Sequence, residues 1–206
     1  MSGTPPGAAG RPELRRSLRQ RRREAMAAAH GPLLQILRRE LPPRLPAGRH
    51  LGLFWPLGGE PDLRPLAAGL SVPLALPAIH PWDGGSAPGV NGGQRLVYLP
   101  WRPGQPLAPD GCGIPAPPAA PPLAADDLGL LLVPALAIDR HGLRLGSGGG
   151  WYDRLRADPA WRAVPALAVL PAACLLPALA AEPWDIPFDG WIDEQGLHRA
   201  TAATAS

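Results

Sequence analysis

From Glu13 onward, Leu14, Leu18, Ala25 and Met26 recur at three- and four-residue spacing with arginines between them, which predicts an amphipathic helix. His30-Gly31-Pro32 ends it, and Pro32 suits the first turn of a second helix, Leu33 to Leu41, stopped by Pro42-Pro43. The period then changes. His50 to Trp55 is read as a strand ending at Pro56, and Asp62 caps a short helix with Pro65 in its first turn. Val72 to Leu76 is a short apolar strand whose Pro73 argues for a sheet edge. Asp83 to Gly93 is a Gly/Ser/Asn-rich loop, Arg95 to Leu99 a further strand, and Gly111 to Ala125 an irregular surface segment. Leu128 to Val133 is continuously apolar, as expected for a strand covered on both faces. Ala163 to Ala181 is charge-free but interrupted by Pro165, Pro171 and Pro177, so it is read as core strand plus turn rather than a membrane span. Strands alternating with helical segments predict a layered α/β sheet.

A chain of 206 residues holds one domain with a buried core. Its 25 Gly and 30 Pro would suit disorder, but 46% hydrophobic residues gathered in blocks between the prolines favour short packed elements joined by Pro-rich loops. Every basic residue is Arg, which excludes Schiff-base and P-loop lysine chemistries as usually written. Cys112 and Cys174 do not make a secreted disulfide framework, and Met1 to Gly10 reads as a disordered leader rather than a signal peptide, so a cytoplasmic location is expected. Residues 199–206 read as a flexible tail. Residues 1–50 carry 11 Arg against 3 acids and the remainder 9 Arg against 14. That asymmetry permits nucleic-acid or membrane binding, yet an Arg-rich helix equally offers a solvated face or a clamp for one small polyanion. Neither nucleic acid nor membrane is the expected partner.

The chemistry lies in Ala135 to Arg154, where Gly146-Ser147-Gly148-Gly149-Gly150 precedes Trp151-Tyr152-Asp153. Glycines tolerate positive φ and bring no Cβ, so successive backbone N–H groups can converge on an anion, and a helix starting near Trp151 would add its dipole. Arg144 supplies a donor fork matched to phosphate oxygens, and Asp153 is placed to hold a metal riding on them. A bare glycine cluster also suits a merely flexible loop. It is neither a P-loop, lacking lysine, nor a dinucleotide fingerprint, because Trp151 occupies the third-glycine position.

The whole stretch from Asp127 to Leu155 closely resembles the signature of the 5-formyltetrahydrofolate cyclo-ligase (methenyltetrahydrofolate synthetase) family. Further similarities follow in chain order: Arg11 to Arg15 with Arg21-Arg22, Phe54-Trp55-Pro56 with Glu60, Leu76-Pro77, Trp101 to Gly104, Gly113-Ile114-Pro115 and Trp184 to Asp189. The resemblance implies a single three-layer α/β/α domain over residues 11–198 with a mostly parallel sheet, like that of ribose-5-phosphate isomerase and CoA transferases. It implies ATP- and Mg2+-dependent conversion of 5-formyltetrahydrofolate, free or polyglutamylated, to 5,10-methenyltetrahydrofolate by a monomer. A catalytically impaired folate- or nucleotide-binding relative is the alternative, and an Arg-rich nucleic-acid-binding protein the third.

By the same resemblance, Gly146, Ser147, Gly148, Gly149, Gly150, Trp151 and Tyr152 form the nucleotide loop, with Gly148, Gly150 and Trp151 also bordering folate. Arg144 is the catalytic group, and Arg11, standing where the family usually has Lys, contacts ATP with Arg15. Trp55 and Glu60 contact folate, the ring covering the pterin and the carboxylate accepting from its N–H donors. Asp153 and Asp189 match magnesium-associated positions. Trp55 could otherwise be core, Glu60 a helix cap and Asp189 a partner of local backbone donors. His141 is read as a turn residue, and Cys112 carries no assigned role. Ser147, Gly149 and Ala116 depart from residues common in the family.

Overall fold

The computed structural model describes residues 10–82, 90–118 and 120–201. The expected leader (up to its last residue), the first part of the Asp83 to Gly93 loop and most of the expected tail lie outside that range. The chain opens with one long helix, α1 (Arg11–Glu40). Strands β1 (His50–Gly52), β2 (Leu74–Pro81), β3 (Val90–Asn91) and β4 (Gln94–Trp101) follow, then a small hairpin of β5 (Ala108–Pro109) and β6 (Pro115–Ala116). Next come β7 (Leu128–Pro134), β8 (Ala137–Asp139), β9 (Arg144–Leu145), α2 (Trp151–Ala157), α3 (Pro159–Ala163), β10 (Ala166–Val169) and β11 (Leu175–Leu176). The chain closes with β12 (Gly190–Asp193) and β13 (Gly196–Arg199).

The main sheet runs β13-β12-β10-β7-β1-β2-β4-β3. Its middle is parallel from β12 through β2, and antiparallel neighbours finish both sides. This agrees with the expected mostly parallel sheet. β7 shows why: Leu130 and Leu132 point into one apolar cluster with Leu33, Leu37 and Leu41, whereas Leu131 and Val133 point into another with Leu155 and Val164. A period of two on a strand apolar throughout requires cover on both faces, and α1 supplies one layer while α2 and α3 supply the other. Each such leucine removed from water contributes roughly 1.5–3 kcal/mol.

Two expectations are corrected. Pro32 does not divide the first helical segment, for α1 passes through it without a break. The buried stripe continues in register across it, from Leu18, Arg22 and Ala29 to Leu33, Leu34 and Leu37, so packing outweighs one lost hydrogen bond and the ring's clash. The strand expected at Val72 to Leu76 is not an edge; it begins at Leu74 and lies between β1 and β4. Its prolines are tolerated because β1 pairs only with Leu74 and Ala75: Pro77 and Pro81 share the alternation of Ala75 and Ile79, whose backbone groups turn to the β1 side, so the N–H they lack would face a stretch that β1 no longer reaches. The six-residue helix after Asp62 is a 3-10 helix, Arg64–Gly69, and Asp62 Oδ1 accepts from the Arg64 N–H at 3.0 Å. Among the described residues no helix is long and apolar enough to cross a membrane.

Candidate active site

From β1 the chain proceeds outward to β2 on one side, and from β7 it proceeds to β10 on the other, so the connections diverge between β1 and β7. Crevices at the carboxyl ends of strands at such a point are the usual ligand sites of open α/β sheets. Phe54 and Trp55, just beyond β1, and Pro134, at the end of β7, line a cavity of about 250 Å3 there. Glu60, Ile79, Leu96, Arg144, Gly146, Ser147, Gly149, Gly150, Trp151 and Tyr152 complete most of its wall. A second, wider cavity of about 820 Å3 lies against the same loop, lined by Arg11, Arg15, Arg144, Gly146, Gly148, Gly149, Gly150, Asp153, Arg154 and Arg162 on one side and the 182–186 segment on the other. Arg144, Gly146, Gly149 and Gly150 belong to both walls.

The loop is held by arginines through its carbonyls. Arg15 Nε donates to Gly146 O at 3.2 Å, Arg19 Nη2 to Ser147 O at 3.0 Å, and Arg154 Nη2 to Gly149 O at 2.6 Å. In planar trans peptides the following N–H points opposite, so the amides of Ser147, Gly148 and Gly150 turn away from those guanidinia. Gly150 is left-handed (φ +64°) as α2 begins at Trp151, the expected start. At Gly146 a Cβ would lie 2.7 Å from Arg144 Nη1, so only glycine admits that guanidinium so close to the backbone. Arg144 is 5% exposed; it donates to Pro134 O at 3.1 Å and pairs with Asp153 Oδ1 at 3.2 Å.

In the smaller cavity Trp55 packs partly against the core and carries the Arg64 guanidinium 4.6 Å above its ring, so it serves core and cavity together. The Glu60 side chain is 7% exposed; its Oε2 accepts from Leu57 N at 3.0 Å, in the turn before it and not in the helix that starts at Arg64, so it does not cap that helix, and its Oε1 faces Arg22 at 3.5 Å. Burial pushes the Glu60 carboxyl up, opposed chiefly by Arg22. The Tyr152 hydroxyl is pushed up by burial and by the Glu60 charge.

The structure does not bring Asp189 to Asp153. The Asp189 carboxylate accepts from Ala166 N at 2.8 Å at the start of β10, and its side chain lines a different, open cavity. The acids that face the wider cavity from the chain just before Asp189 are Asp185, four residues earlier and 3.3 Å from Arg11 Nη2, and Glu182, 3.6 Å from the same atom. Trp184 beside Asp185 is 63% exposed. Sequence reasoning missed Asp185 as well as Arg19, Arg22, Arg154, Arg162 and Trp184; the motif holding Asp185 and Trp184 was visible, but not which carboxylate turns inward. His141 sits in the Asp139–Gly142 turn with its backbone N–H on Asp139, as expected of a turn residue. Cys112 is exposed in the turn that Asp110 organises.

The sequence model of the 5-formyltetrahydrofolate cyclo-ligase family matches residues 54–193. The chain belongs to that family. A 5-formyltetrahydrofolate cyclo-ligase of Mycolicibacterium smegmatis is 34% identical over 143 residues, covering 69% of this chain and 72% of that one. The protein of that name from Escherichia coli K12 is 28% identical over 142 residues, covering 66% and 73%. Among solved structures, the 5,10-methenyltetrahydrofolate synthetase of Aquifex aeolicus superposes with TM-score 0.69 at 24% identity, covering 96% of each chain. That of Mycoplasma pneumoniae gives 0.63 at 17%, covering 89% of this chain and 98% of that one. These two likenesses establish the fold. The matched interval leaves α1 outside, so the roles of Arg11, Arg15, Arg19 and Arg22 rest on geometry.

Proposed function

We propose that this cyclo-ligase converts 5-formyltetrahydrofolate to 5,10-methenyltetrahydrofolate while ATP becomes ADP and phosphate. The observation that carries the reading is the shared wall: Arg144 and three glycines of one loop border both a narrow, largely apolar cavity and a wide, arginine-rich one. A flat reduced pterin suits the first, with Trp55 against its face and Glu60 accepting its N–H groups. A triphosphate suits the second, with Arg11, Arg15 and Arg144 as charge partners and the loop amides as donors.

The chemistry needs that adjacency. A formamide carbonyl is a poor electrophile and its oxygen a poor leaving group. Transfer of the γ-phosphoryl to that oxygen breaks the bond to ADP and makes a phosphate leaving group; N10 then attacks the formyl carbon and gives up its proton to solvent, and phosphate departs with the former formyl oxygen. The protein contributes alignment and preorganised charge, and Arg144, already desolvated at the boundary, is the group that meets the transferring phosphoryl.

The donor set fits Mg2+ bound mainly through phosphates, because Asp153 and Asp185 both border the wide cavity and Mg2+ typically takes one or two carboxylates. When bound, that cation supplies neutralisation of phosphate charge. Asp153 must loosen from Arg144 and Asp185 from Arg11 to serve it, which frees both guanidinia for the phosphates.

The test is the near-ultraviolet chromophore of the methenyl product, followed with purified chain, 5-formyltetrahydrofolate, ATP and Mg2+. Growth that requires all four supports the reading. Tight folate binding with neither chromophore nor phosphate release supports the impaired alternative instead.

A further inference from the structure

Arg22 is a buried cation that the reaction above does not use. It is 3% exposed in the middle of α1, on the same stripe as Arg11, Arg15 and Arg19 but deeper. Its Nη1 donates to Ala135 O and its Nη2 to Gly58 O, both at 3.2 Å, and Nη1 lies 3.5 Å from Glu60 Oε1. Ala135 follows the end of β7 and Gly58 precedes Glu60 in the segment after β1, so one guanidinium ties α1 to both strand ends that frame the narrow cavity. Isolating a charge this deeply costs several kcal/mol unless it is paired, and replacing the pair with apolar groups is often neutral for stability. Fold stability alone therefore does not account for it.

We infer that Arg22 is a positioning residue for the folate cavity: anchored on the Gly58 and Ala135 carbonyls, it holds the Glu60 carboxylate in place at the cavity wall. The inference rests on the proposed role of Glu60 in binding the pterin. Two charged groups act on that carboxyl, Arg22 from α1 and Arg144 from β9, and the Tyr152 hydroxyl from α2 feels its charge in turn. Burial raises the carboxyl while Arg22, and more weakly Arg144, lower it. Protonation turns one carboxyl oxygen into a donor, so accepting from two pterin N–H groups at once needs the ionised carboxylate, and kcat/KM falls as pH drops through the Glu60 titration. Without Arg22 the carboxyl titrates at higher pH, and the acid limb moves upward.

The experiment measures kcat and KM for both substrates across pH in the full chain for Arg22→Met, Arg22→Lys, Glu60→Gln and the double variants. Arg22→Met should raise the KM for 5-formyltetrahydrofolate ~10-fold or more, with the KM for ATP changing less than about twofold. Its acid limb should shift to higher pH, Arg22→Lys should restore the wild-type limb, and Glu60→Gln should remove the limb. In the Glu60→Gln background Arg22→Met should add little, because its effect runs through that carboxylate. A limb that stays where it was, or an equal Arg22→Met penalty with and without the carboxylate, overturns the inference. If Arg22→Met does not fold, Arg22→Lys with and without Glu60→Gln gives the same cycle: a modest folate-KM penalty confined to the Glu60 background supports the inference, and an equal penalty in both overturns it. Wild-type chain that makes no methenyl product overturns the functional reading instead, a separable result.

Discussion

At the scale of single residues, the boundary position of Arg144 predicts a specific imbalance. Arg144→Ala removes a charge that faces the phosphoryl group in flight, so kcat should fall on the order of 10³-fold, as for other arginines stabilising phosphoryl transfer. Folate dissociation, measured by calorimetry, should move far less. Trp55→Ala should do the reverse and act through folate affinity. Equal losses from both would contradict the division of labour between the cavities. Much of this was legible because Arg144, the glycines and Asp153 fall within ten consecutive positions, where local chemistry is read directly. The second acid was not. Asp185 and Asp189 lie in a proline-punctuated loop without a period, and Asp189 is drawn off by a backbone N–H of β10, a partner distant in sequence. Arg19 and Arg22 were missed because helical spacing marks a stripe without saying that the charged members turn inward, and buried arginines are rare.

At the scale of elements, α1 is the instructive case. His30-Gly31-Pro32 carries the local signals of a helix end, and the structure overrides them because one buried stripe, apolar but for Arg22, runs from Leu18 to Leu37. The proline must still cost something, since it removes one backbone hydrogen bond and its ring crowds the preceding turn. Pro32→Ala should stabilise the chain by about 1–3 kcal/mol, seen as a higher denaturant midpoint with unchanged slope and unchanged kcat. A lower midpoint would mean that the proline sets a bend the packing requires. The strands were more legible than the helix break. β7 and β4 were found because continuous apolar runs of that length have few alternatives, whereas β2 was shortened and moved to an edge because its prolines carry no sign of where β1 stops pairing.

At the scale of the whole molecule, the charge asymmetry along the chain closes on itself. The arginine-rich first helix meets the acidic remainder at Arg11 with Asp185 and Glu182, and at Arg22 with Glu60, so part of the excess positive charge is spent inside the fold. The wide cavity is accordingly assembled from three segments far apart in sequence: the start of α1, the glycine loop with α2, and residues 182–186. A ligand bridging them must order all three together. Binding only the folded form at about 100 times Kd stabilises by about 2.7 kcal/mol, and that gain is distributed over whatever the ligand contacts. A nonhydrolysable ATP analogue with Mg2+ should therefore slow amide exchange jointly in the first turns of α1, around Gly148 and around Trp184. Folate alone should slow only the segments near Trp55, Glu60 and the glycine loop. Protection confined to the glycine loop on adding nucleotide would show that the arginines of α1 hold the loop but do not grip the phosphates, and the clamp would then be a scaffold for the loop alone.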